Sequence, residues 1–112
     1  SFANTVHPDN ASDSRLYSMH RAMSAAAGPE AYIRHQEAII GRPDCRPMLK
    51  DIAVPTLVLV GESDQISPPS AADEMHLGIL DSTLAVVPRA GHLSLIEQPD
   101  LVNKALIAWA QR

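Results

Sequence analysis

The sequence predicts an α/β chain on a parallel sheet, in the order strand, helix, strand, helix, with a helical segment in front of it. Three observations carry this. Thr56–Val60 (TLVLV) and Thr83–Val87 (TLAVV) are nearly continuous apolar runs rather than alternating ones, the pattern of strands covered on both faces in a parallel sheet. A proline-opened stretch of helical character separates them. A second such stretch follows the second run.

Taken in order, Leu16, Met19, His20 and Met23 fall at helical spacing around residues 13–27, with Ser12 or Asp13 as N-cap and Gly28 as stop. Pro29 suits the first turn of a second helix, in which Tyr32, Gln36, Ile39 and Ile40 share a face until Gly41 and Pro43 end it. That face, like the Met positions, is read as packing surface. A short turn around Met48–Ile52 leads through Pro55 into the first strand. Pro68, Pro69 and Ser70 then open a helix with Ala71, Ala72, Met75 and Leu77 available for packing. With the two runs it makes a βαβ unit. Pro99 opens the last helix, whose Leu101, Val102, Ala105, Leu106 and Trp109 form one apolar stripe, Trp109 anchoring it against the sheet. Residues 1–50 thus form one helical region and residues 51–112 the sheet region.

Charge and composition narrow the function. Nine basic against thirteen acidic side chains give a net charge of −4 with no basic cluster, so no nucleic-acid partner is expected. The apolar runs fall far short of the ~20 residues of a membrane helix, and the first residues lack the pattern of a signal peptide. The single Cys45 suits a reducing compartment, and the cytoplasm is the expected location. No two of the five histidines stand at i, i+4 and there is no CxxC, so neither a metal nor a cofactor is expected. Arg34, Gln36, Arg42, Arg46 and His35 read as solvated positions of the helical region.

Two parallel strands leave two unpaired edges. The sequence holds no third convincing strand, so the chain is expected to be the end of a larger, truncated α/β domain. Its edges should pair with an absent N-terminal region or drive self-association.

Chemistry in open α/β sheets collects beyond the carboxyl ends of the strands. The first strand runs into GESD and the second into PRAGH, which puts Asp64 and His92 beyond one edge of the sheet. A carboxylate accepting the imidazole Nδ1–H fixes the tautomer and stabilises the imidazolium formed when Nε2 takes a proton. Gly61 and Gly91 are read as the residues that let the backbone turn off each strand. Ile66 and Leu93, each close behind one of these two residues, are candidate substrate contacts.

The stretches VPTLVLVGESDQISPP and LAVVPRAGHLSLIEQPDLVNKALIAW together resemble the last third of the α/β-hydrolase fold superfamily. The resemblance implies that Asp64 is the triad acid, His92 the triad base, and Glu97 with Pro99 the ExP before the final helix. AYIRHQEAIIGRPDCRPMLKDI resembles the cap and return segment of lactonase- and esterase-like members, which implies a helical cap over residues 1–50. One departure stands out: the G-x-S-x-G elbow that bears the nucleophile in that family is absent, the nearest stretch being Gly61-Glu62-Ser63-Asp64-Gln65.

The function these readings predict is hydrolysis of a small ester, lactone or related carbonyl substrate by a Ser-His-Asp triad whose Ser lies outside this chain, so that the chain alone is inactive. Two alternatives stay open. One is an Asp nucleophile, as in dehalogenases or epoxide hydrolases; the other is a non-catalytic ligand-binding protein on the same scaffold.

Overall fold

A computed structural model describes residues 1–112. Two strands form its sheet: β1, Thr56–Gly61, and β2, Ser82–Val87. They pair in parallel, with Thr56 opposite Ser82 and Gly61 opposite Val87. Helix α2, Pro69–Gly78, connects them. A single helical turn, α3, Ser94–Glu97, follows β2, and α4, Pro99–Ala110, ends the fold. The predicted βαβα order is therefore present, with each strand one residue longer than the apolar run that announced it.

Side-chain alternation divides the sheet between two helices. Val58 and Val60 of β1 bury against Ala72 of α2 and Ile79 just beyond it, joined by Leu49, Ile52 and Leu84. On the opposite face Val87 and Ala90 pack on Val102 of α4, with Leu59 at their margin. Trp109 adds a polar tie, its indole Nε1–H donating to the Pro55 carbonyl at 3.1 Å. The last helix is thus moored at the start of β1 as well as beneath the sheet.

Ahead of the sheet runs α1, Ser14–Ile40, capped by Asp13, whose carboxylate accepts the N–H groups of Arg15 and Leu16. Gly28 interrupts it with φ 78° and ψ 167°, a conformation that glycine adopts freely. The following Pro29 restarts the helix, so the stop and restart expected at this dipeptide take the form of a kink. A 3₁₀ turn over Arg46–Asp51 leads toward β1 and sends Leu49 into the core beside α2.

Several expected packing positions are corrected by the structure. Met19, Met23, Tyr32, Ile39 and Ile40 are exposed, because nothing else in the chain lies over those faces of α1. Leu77 also points to solvent, and Ile79, beyond the end of α2, takes the buried place instead. Of the α4 stripe only Val102 is fully buried. Coverage of both sheet faces, inferred from the apolar runs, is incomplete: Val86 of β2 stands nearly half exposed.

The glycine reading is corrected as well. Neither Gly61 nor Gly91 has a positive φ, so neither is needed for a special turn. Both are needed for close approach. A Cβ on Gly61 would collide with the carbonyl oxygens of Ala90 and Gly91, and one on Gly91 would lie 2.7 Å from the carbonyl carbon of Val6. Overpacking of this kind against backbone typically costs about 1–3 kcal/mol. Gly61→Ala is therefore expected to lower unfolding free energy by about 2 kcal/mol in urea titration; unchanged stability would show that the two loops separate freely.

Candidate active site

Two loops leave the carboxyl ends of β1 and β2 and stay joined beyond the ladder. Glu62 N–H donates to the Val87 carbonyl and Ser63 N–H to the Ala90 carbonyl, both at 2.9 Å. In the second loop Arg89 takes the left-handed φ of 54°, unusual for a residue with a Cβ. Its N–H is held by Glu62 Oε1 at 2.7 Å. These contacts bring residue 64 and residue 92 together across 28 positions of sequence.

Asp64 is buried, and its carboxylate is fully engaged. Oδ1 accepts the N–H groups of Ile66 and Ser67, each at 2.9 Å. Oδ2 lies 3.0 Å from His92 Nδ1. A carboxylate only accepts hydrogen bonds, so the proton of this contact sits on Nδ1 and the lone pair of the ring on Nε2. The His92 side chain is 41% exposed, against 7% for Asp64, and Nε2 has no hydrogen-bond partner within the chain. A fixed carboxylate thus holds a part-exposed imidazole whose other nitrogen has no partner within the chain.

Beside this pair lies a cavity of about 180 Å³ whose polar lining includes Asp64, Ser67, His92 and the buried Ser94, with Met75 among its apolar walls. Ser67, Ala71 and Met75 also line a larger cleft of about 710 Å³ that runs out past the end of α1. Arg46 in that cleft is taken up by Asp44 at 2.7 Å and by Glu74 at 3.6 Å. Its hydrogen bonds hold the Asp44 carboxyl down at about 2. Arg42 is the cation of the cleft left without a carboxylate partner.

The sequence-predicted residues are placed as follows. Asp64 and His92 meet. Ile66 is exposed and contributes its N–H to Asp64, while Leu93 packs toward the cluster of Phe2, Val6 and Leu16; neither lines the smaller cavity. Sequence reasoning missed the first residues altogether. Phe2 and Val6 bury against Leu16, Leu93 and Ile96, Phe2 sits edge-on to Tyr17 and His20, and Thr5 O accepts the Leu93 N–H at 3.1 Å. Short 3₁₀ turns without apolar periodicity gave no signal of this. Glu97 was noticed only through its place in a motif; it accepts hydrogen bonds from His7, Asn10 and Gly91. No group of His, Cys, Asp and Glu side chains is arranged to hold a metal ion. No helix is long and apolar enough to cross a membrane.

No family model matches the chain. It is 38% identical over 73 residues to the pimeloyl-[acyl-carrier protein] methyl ester esterase of Pectobacterium carotovorum, covering 65% of this chain and 29% of that one. It is 34% identical over 88 residues to 3-oxoadipate enol-lactonase 2 of Acinetobacter baylyi, covering 79% and 32%. The chain thus spans about three-tenths of the length of the curated relatives it matches. Among solved structures, a thermophilic esterase from Thermogutta terrifontis superposes with a TM-score of 0.61 at 44% identity, over 63% of this chain and 26% of that one. The fold likeness extends over 97% of this chain, and 44% of the other, in the carbazole-degradation serine hydrolase CarC, with a TM-score of 0.74 at 23% identity.

The acid should serve two separable ends, loop geometry and imidazole orientation. Asp64→Asn keeps an oxygen for the Ile66 and Ser67 N–H groups but turns an amide donor toward Nδ1. Asp64→Ala abandons both N–H groups, and hydrogen bonds to a charged group are worth roughly 1.5–3 kcal/mol each. Urea unfolding should therefore find Asp64→Ala destabilised by at least about 2 kcal/mol and Asp64→Asn by less than about 1 kcal/mol.

Proposed function

From its membership of the α/β-hydrolase fold superfamily, we propose that this chain carries the acid and the base of a serine-type hydrolase whose nucleophile lies outside these 112 residues. The observation that carries this reading is the 3.0 Å contact of Asp64 Oδ2 with His92 Nδ1 at the carboxyl edge of the sheet, in a part-exposed ring whose Nε2 has no partner within the chain. A packed structural histidine would not stand with a buried carboxylate on one nitrogen and no partner within the chain on the other.

In this mechanism a serine from the remainder of the protein attacks the substrate carbonyl carbon as His92 Nε2 takes its proton. Asp64 keeps the ring in the Nδ1–H tautomer and stabilises the imidazolium. His92 then returns the proton to the departing alcohol, leaving an acyl-enzyme. Water, deprotonated by the same nitrogen, attacks that ester and releases the acid and the free serine. Donors for the oxyanion belong to the same outside region as the nucleophile. The substrates are small esters or lactones, in line with what the esterase and lactonase relatives are named for. They enter by the cleft that shares Ser67, Ala71 and Met75 with the smaller cavity. Residues of α1 form part of a cap over that entrance, with Ile66 and Leu93 as candidate contacts near the two loops. The open sheet edges receive the remaining strands, and the isolated chain is inactive and self-associates along them.

His92→Ala in the full-length protein should reduce turnover of p-nitrophenyl esters by at least about 10³-fold. It should also abolish labelling of the nucleophile by a fluorophosphonate probe. Near-parental turnover in the folded variant would refute the assignment. An intact protein that resists the probe yet turns over an alkyl halide or epoxide would favour an aspartate nucleophile.

A further inference from the structure

Glu97 lies at the end of α3, outside the acid–base pair, yet its carboxylate gathers three donors from two distant parts of the chain. Oε1 accepts the His7 N–H at 2.6 Å and an Asn10 Nδ2–H at 3.1 Å; Oε2 accepts the Gly91 N–H at 2.8 Å. Gly91 is the residue immediately before His92. On the other side of His92 the Leu93 N–H donates to the Thr5 carbonyl. The backbone of His92 is therefore pinned on both sides to residues 5–7, once directly and once through Glu97. The glycine makes the arrangement possible, because a Cβ there would sit 2.8 Å from Val6 Cα and 3.0 Å from His7 N.

We propose that Glu97 is a positioning residue for His92, acting through the Gly91 N–H to set the imidazole against Asp64 and toward the reacting carbonyl. This rests on the hydrolase reading above. The need arises from the exposure of the ring: with the His92 side chain 41% exposed, packing does not fix it, and its place follows from its backbone and from Asp64. The requirement is for a carboxylate in particular. All three partners are N–H donors, and an ionised carboxylate has acceptors on both oxygens. An amide of the same shape turns its NH₂ onto at least one of those donors, and the Gly91 or the His7 tether opens.

The test uses the full-length protein with Glu97→Gln, Glu97→Asp and His92→Ala beside the parent. Displacement of a reacting group by about 1 Å is enough to cost up to about 100-fold in rate. Glu97→Gln is expected to lower kcat for a p-nitrophenyl ester by about 10- to 100-fold, with KM held within about twofold. Glu97→Asp, which keeps the charge on a shorter arm, should retain more of kcat than Glu97→Gln. A spectroscopic readout separates positioning from stability: the downfield proton NMR signal of an Nδ1–H held by Asp64, absent in His92→Ala, should broaden or vanish in Glu97→Gln while the urea midpoint shows the protein still folded. Full kcat in folded Glu97→Gln overturns the inference, as does a lost kcat with that signal intact. If both Glu97 variants fail to fold, Glu97 serves stability and the inference also falls. Activity retained in His92→Ala would instead remove the hydrolase reading itself, so the two failures are told apart.

Discussion

The structure depends on one close approach: the backbone of Gly61 at the end of β1 lies against the carbonyls of Ala90 and Gly91 in the loop after β2. Parallel strands in register end side by side, but their loops ordinarily diverge into different connections. Here they stay in contact for two more residues, through the Glu62 and Ser63 N–H groups. Any side chain at position 61 would wedge the loops apart. Asp64 Oδ2 reaches His92 Nδ1 because position 61 has none.

Around that contact the two members of the pair are held in different ways. Asp64 is buried and spends both oxygens on fixed partners, two of them backbone N–H groups of its own loop. His92 projects from a backbone that is tied down, while its ring remains half in solvent. The division suits the proposed roles, an acid that only orients and a base that must meet a substrate and release a product. It also explains why the first residues of the chain matter. Thr5 and His7 lie 88 and 90 positions before Leu93 and Glu97 in sequence and supply the anchorage on the side of His92 away from Asp64.

What the sequence disclosed follows from which forces leave a local mark. The strands, α2 and α4 were legible because burial on a sheet face and proline at a helix start act within a few residues. The pairing of Asp64 with His92 was legible because βαβ topology puts both strand ends on one edge, whatever the detailed packing. The segment Phe2–Asn10 was not legible, since it has no apolar periodicity and what holds it to the rest of the chain is long-range: hydrogen bonds to Leu93 and Glu97, and the burial of Phe2 and Val6 against Leu16. Glu97 was visible as a motif letter but its three partners were not, because donors at His7, Asn10 and Gly91 share no spacing with it. The exposed faces of α1 were misread for a related reason. Periodicity shows that a helix has an apolar side, and it does not show whether the chain supplies anything to cover that side.

That last point separates the completeness of the pair from the completeness of the core. Only 14 of the 112 residues are buried, ten of them in three small apolar clusters, so apolar mass within the chain is a weak determinant of the geometry at Asp64 and His92. The determinants are directional: the parallel ladder, the Glu62 and Ser63 N–H groups, the Asp64 loop and the Glu97 tether. Directional contacts specify positions to within fractions of an ångström but contribute only about 1 kcal/mol each to net stability, or roughly 1.5–3 kcal/mol where one partner is charged. Apolar burial contributes far more and specifies far less. In a fold whose relatives run to more than twice this length, the two tasks can therefore be divided. The segment described here fixes the angle and reach of the Asp64–His92 pair, and it leaves Ile39, Ile40, Val86 and the sheet edges uncovered.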